Sequence, residues 1–243
     1  DSIVEIEPQA FAFCPTLTNV VFGAGLSRLG EWAFRGCTRL AAIQVPPLNP
    51  SFASSDGILF NHDRSRLVLF PASKSGSYEI PSTVVEIADD AFARTAGLTN
   101  VLVPSSVTRI GNWAFDRSGL AQITLPDSVS SLGTGAFSGC TRLQYAILGD
   151  GLLRIEPRTF ERSGLLAIQL PPSVSEIADW AFFNCPRLVG VTLAPATRQI
   201  GHRAFQGCSA LPRMVLPADV RVLGEEAFSD CPALAEVVCD GNA

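Results

Sequence analysis

The chain has 243 residues, 47% hydrophobic and 17% charged, with 18 Lys and Arg against 23 Asp and Glu. That length and apolar content support a sizeable core and argue against intrinsic disorder. The formal charge of −5 argues against a nucleic-acid binder, which needs a basic footprint, and no apolar run approaches the roughly 20 residues of a membrane-spanning helix.

From the N-terminus onward the chain repeats itself. An Ala-Phe pair marks the period at Phe11, Phe34, Phe92, Phe115, Phe137, Phe160, Phe182, Phe205 and Phe228, with Thr159 alone replacing the Ala. The steps are 23, 58, 23, 22, 23, 22, 23 and 23 residues. The first segment, Ile3-x-x-Ile6-x-x-x-Ala10-Phe11, begins inside a repeat and lacks its strand. The chain is therefore expected to belong to a longer array or to associate end to end, because solenoids need capped ends.

The long step equals one 23-residue repeat plus 35 residues, so residues 48–77 read as an insertion. Within it, Gly57-Ile58-Leu59-Phe60 and Leu67-Val68-Leu69-Phe70 flank a polar stretch that includes His62, the pattern of a β-hairpin. The regular pattern resumes at Tyr78 and is clearest in Leu120-x-x-Ile123-x-Leu125-Pro126-x-x-Val129-x-x-Leu132-x-x-x-Ala136-Phe137-x-x-Cys140. Leu-x-x-Ile-x-Leu alternates like a short strand with one buried face, and the Pro after it ends the strand. The Ala-Phe segment is too short for a long helix and predicts one helical or 3-10 turn with Phe inward. No repeat can bury its apolar side alone, so 1–243 reads as one solenoid of about ten 22–23-residue repeats.

These residues resemble the BspA-like leucine-rich repeats of bacterial surface antigens, and the inserted hairpin is similar to one such proteins carry. The resemblance implies an α/β, curved leucine-rich-repeat solenoid with short parallel strands on the concave face. It also implies a protein on the cell surface or secreted, used for adhesion or protein binding. Here Pro often closes the strand where the common leucine-rich pattern has Asn or Cys.

The cysteines follow the register. Cys14, Cys37, Cys140, Cys185, Cys208 and Cys231 all lie three residues after the marker Phe, where other repeats carry Thr95, Ser118 and Ser163. A column accepting Cys, Ser or Thr reads as a buried, reduced structural ladder. A disulfide between stacked repeats, such as Cys208–Cys231, is the alternative. Cys239 falls at a core strand position of the last repeat. No Cys-x-x-Cys or His pair suggests a metal, and no cofactor is expected.

His62 and His202 are far apart in repeat coordinates. Asp89-Asp90 and Glu225-Glu226 read as solvated charges, and Trp32, Trp113 and Trp180 share one column on the back surface. An enzyme is not expected; glycan-active β-helix enzymes of similar turn length group acids on one face, and here charges on the strands are few and scattered. The outward strand positions are the binding candidates, because side chains alternate along a strand. A neutral patch of Asn100, Leu102, Gln122, Thr124, Tyr145, Ile147 and Gln169 is expected to hold a partner protein. The hairpin is the runner-up surface, and a structural spacer or self-associating stalk is the alternative function.

Overall fold

The computed structural model describes residues 2–240. The chain winds into stacked coils with two rows of parallel strands. The front row comprises Asn19–Val21, Ala42–Gln44, Gly76–Glu79, Leu98–Leu102, Gln122–Thr124, Tyr145–Ile147, Ala167–Gln169, Gly190–Thr192, Arg213–Pro217 and Glu236–Asp240. The back row consists of two-residue strands such as Arg109–Ile110, Ser131–Leu132 and Glu176–Ile177. Pairing Gln122 with Tyr145 and Ala167 with Gly190 offsets neighbours by one repeat, so each sequence column becomes a line of stacked side chains.

The alternation in Leu-x-x-Ile-x-Leu sets what each line faces. Ile43, Val101, Ile123 and Ile168 point inward and are buried, while their flanking residues lie on the outer face. The marker phenylalanines stack through the core: Phe92, Phe115, Phe137, Phe160, Phe182, Phe205 and Phe228 succeed one another at 4.8–5.5 Å between ring centroids, with planes within 14° of parallel. At that repeat distance the rings fill the space between coils and add an aromatic contribution of about 1 kcal/mol per pair beyond burial.

No helix occurs among the described residues. The α/β expectation with short helical or 3-10 turns is corrected to an all-strand-and-turn solenoid. The reason lies on either side of the marker Phe. Two residues before it and two after it, each regular coil has a positive φ, as at Trp113 (54°) and Arg117 (54°), or Trp180 (56°) and Asn184 (53°). A left-handed residue every four positions breaks a helix. Such a residue costs about 1 kcal/mol when it is not glycine, and the cost is offset by hydrogen bonds to the next coil. Trp113 N–H donates to Thr134 O, Phe115 N–H to Ala136 O and Arg117 N–H to Ser138 O, each at 2.8 Å. The same three bonds recur from coil to coil, so the turns form a third ladder beside the two strand rows.

The insertion breaks this uniformity. Phe52–Ser55, Ile58–Asn61 and Arg66–Leu69 form a three-stranded antiparallel meander, one strand more than the sequence pattern suggests. Arg66–Leu69 then pairs in parallel with Glu86–Ile87, so the insertion supplies the back strand of its own coil. The middle strand is buried on both faces: Ile58 and Phe60 join the core on the Phe92 side, and Leu59 joins a separate core around Phe34. This explains its unbroken apolar run.

Asn49 anchors the start of the insertion. It occupies the column of Leu26, where an apolar residue is expected, and is fully buried. Its Nδ2 donates to Gly23 O and Leu26 O at 2.9 Å, and its Oδ1 accepts from Ser51 N–H and Phe52 N–H at 2.9 and 2.8 Å.

Candidate functional site

The front strands carry the outward columns, and these create a hollow of about 1020 Å³ on the strand face. Its floor comes from Ala167 and Gly190, paired neighbours in register, whose small side chains lower the surface between larger flanks. A Cβ added at Gly190 would approach only the Ala167 methyl, at 3.7 Å. Tyr145 and Ile147 rise on one side, 53% and 63% exposed, and Arg213 and Val215 on the other. Gln122, Gln169 and Thr192 add uncharged hydrogen-bonding groups along the rim. Arg213 is tied to Glu236 by an ion pair at 2.6 Å, which places the one charged side chain of that wall in a neutral pair.

Of the expected patch, Gln122, Tyr145, Ile147 and Gln169 line this hollow. Asn100, Leu102 and Thr124 share the face but lie outside the hollow. Asn100 is engaged by the neighbouring strand, its Nδ2 donating to Ser77 Oγ at 3.2 Å. Ala167, Gly190, Thr192, Arg213 and Val215 were missing from the sequence-derived patch. The signal for them was the run Tyr145, Ala167, Gly190, Arg213 in one outward column, in which two small residues sit between two large ones. Large beside small in a stacked column makes a depression.

The chemistry-bearing residues are dispersed. The seven cysteines are free. The thiols of Cys37, Cys140, Cys185, Cys208 and Cys231 each donate to the carbonyl of the marker Phe one coil back, at 3.0–3.2 Å. Ser118 and Ser163 lie 3.3 and 3.4 Å from Cys140 and Cys185, continuing the line. Burial pushes the Cys140 thiol up to about 12, so it stays protonated and serves as a donor. Cys239 departs from its expected core position: it is exposed, while its register partner Leu216 is buried.

His62 Nδ1 lies 3.0 Å from Asn49 O, and His202 packs edge-on against Trp180 at 5.4 Å. Arg158 covers the Trp180 ring at 4.5 Å, so that tryptophan is a packing element of the turn ladder. No group of three His, Cys, Asp or Glu suited to a metal occurs among the described residues. Among the described residues no helix is long and apolar enough to cross a membrane.

A family model described as the BspA type leucine rich repeat region matches six copies over residues 1–58, 68–189 and 130–243. The chain belongs to the BspA-type leucine-rich repeat family. The family match passes over 59–67, the heart of the meander, so the insertion is what sets this BspA-type chain apart from the bare repeat. Among curated proteins none matches the sequence. A leucine-rich repeat protein from Eubacterium ventriosum shares the fold at TM-score 0.79 and 24% identity, over 88% of this chain and 58% of that one. The pneumococcal vaccine antigen PcpA is similar at TM-score 0.51 and 26% identity, over 67% of this chain and 44% of that one. The chain thus spans less than two thirds of the length of either neighbour.

Proposed function

We propose that this chain is a non-enzymatic binding scaffold whose strand-face hollow captures a partner protein, on a protein displayed at the cell surface or secreted. The observation that carries the reading is the hollow itself: an uncharged floor with an exposed tyrosine and isoleucine at its edge. Interfaces favour such centres, with aromatic anchors and uncharged cores. BspA-type membership and the likeness to a vaccine antigen support the surface setting.

The test is capture of purified extracellular-matrix and cell-surface proteins on the immobilised chain, compared with Tyr145→Asp/Ile147→Asp. Both side chains are exposed, so the variant folds; loss of a captured partner by at least about tenfold supports the reading. Undiminished capture by the variant contradicts it.

A further inference from the structure

Where the insertion enters, the third ladder is open. Phe70 takes the place of the marker Phe in that coil: it lies 22 residues before Phe92, its ring is 5.0 Å from Phe92, and its N–H donates to Ala91 O at 2.7 Å. The turn around it is short, however. Leu67 pairs with Ile87, and only two residues lie between Leu67 and Phe70 where four lie between Ile87 and Phe92. The outward left-handed bends at either side of Phe are missing. The turn of the Phe34 coil therefore faces a recess. The N–H groups of Trp32, Phe34 and Gly36, whose equivalents in the regular coils donate to the next turn, have no acceptor among the described residues.

The recess is a cavity of about 170 Å³ with Val68, Leu69, Phe70 and Ala72 as its floor and the turns around Phe34 and Phe92 as its walls. Asp90 lines it with a side chain only 10% exposed, so the solvated carboxylate expected from the sequence is buried here instead. Neither Asp90 oxygen has a hydrogen bond of normal geometry, the Trp32 side chain approaching it only closely enough to favour its charged form, and Arg35 Nε has no partner. Arg35 NH1 stands 3.7 Å from Asp90, beyond hydrogen-bond reach, because the guanidinium is drawn to Asp116 at 3.2 Å. Three unused donors two residues apart, beside a buried unused acceptor, match one chemistry: polypeptide backbone offering alternate carbonyls, with a cationic side chain next to them.

We propose that this recess is a second binding site, for an extended peptide segment of a partner protein carrying a Lys or Arg. Its alternate carbonyls take the N–H groups of Trp32, Phe34 and Gly36, restoring the absent rung, and its cation meets Asp90. The site is independent of the strand-face hollow, which is formed by other coils.

The probe is a displayed library of random heptapeptides selected on the whole chain, with selected peptides then synthesised and titrated. The expected result is enrichment of Lys- or Arg-containing peptides that shift the amide resonances of Trp32, Phe34 and Gly36. Their affinity should fall by about tenfold or more for Asp90→Asn, the loss of one charge-assisted contact, and be unchanged for Tyr145→Asp. Asp90→Asn removes a buried charge that Arg35 offsets only at 3.7 Å, so it stays folded. Absence of selected binders, indifference to Asp90→Asn, or shifts confined to Tyr145, Ala167 and Gly190 would overturn the proposal. The last of these outcomes would leave the strand-face reading intact.

Discussion

The stretch from Phe92 to Phe228 and the seam between Phe34 and Phe92 are built from the same repeat but reach different states. In the first, the turn ladder runs unbroken beside the two strand rows, and each ring from Phe115 to Phe205 has a ring above and below it. In the second, the insertion's last strand carries the back row on to Glu86–Ile87, but the front pair Asn19–Val21 and Ala42–Gln44 and the back pair Glu5–Ile6 and Arg28–Leu29 remain separate sheets, the turn ladder loses a rung and the core divides in two. The difference shows what the turn contributes. It is the part of the repeat that cannot be shortened without leaving donors unused, because its strained φ values and its cross-coil bonds come as a set.

Truncating the stack should have the largest effect. Phe137→Ala opens a cavity between Phe115 and Phe160 and is expected to lower stability by about 3–5 kcal/mol, read from denaturant unfolding. A loss below about 1 kcal/mol would mean the ring column is not the structural axis. Next is the anchor of the seam. Asn49→Leu takes away the partner of Leu26 O and of the Ser51 and Phe52 N–H groups, and one of two donors to Gly23 O, and is expected to cost about 3 kcal/mol. Hydrogen exchange should then quicken in the Phe34 coil while the coils from Phe115 onward keep their protection.

How much of this contrast is visible in the sequence depends on what fixes each residue type. Burial in a shared column dictates Phe and Cys, so the period, the solenoid and the cysteine line are legible. The left-handed positions are not. One such column carries Gln9, Trp32, Asp90, Trp113, Arg158, Trp180, Arg203 and Glu226, side chains that announce nothing about φ. Cross-coil hydrogen bonds impose that conformation, and glycine appears there only at Gly135, where the Trp113 ring leaves no room for a Cβ. The expected patch on the strands was found by its alternation, but the hollow was not, because a depression needs the register that places Ala167 beside Gly190. Phe70 does not read as a marker because it lacks the preceding Ala and its turn is shortened.

A smaller effect of opposite sign tests the seam. Burial raises the Asp90 carboxyl to about 6 against the pull of the Arg35 guanidinium and the Trp32 side chain, with Asp116 and Asp89 adding to the rise. The folded state therefore binds this proton more tightly than the unfolded chain does. Stability is penalised when pH rises from about 4 through about 6, and the penalty is fully present at pH 7. Asp90→Asn should stabilise the protein by about 2 kcal/mol at pH 7 and by nothing near pH 4. An equal effect at both values would show that the charge is not the cause.

The smallest perturbation is chemical labelling. Cys239 should react at once with a thiol reagent, whereas Cys37, Cys140, Cys185 and Cys208 should react only as the chain unfolds. Rapid labelling of the Cys140 line would contradict a closed stack.

The contrast between closed and open turn ladders is tested most directly by amide hydrogen exchange, residue by residue. The amides of Trp113, Phe115 and Arg117 should be protected to the level of global unfolding, and those of Trp32, Phe34 and Gly36 should exchange faster by orders of magnitude. Equal protection in the two sets would mean that the Phe34 turn has a partner across the seam, and the account of the missing rung would fail.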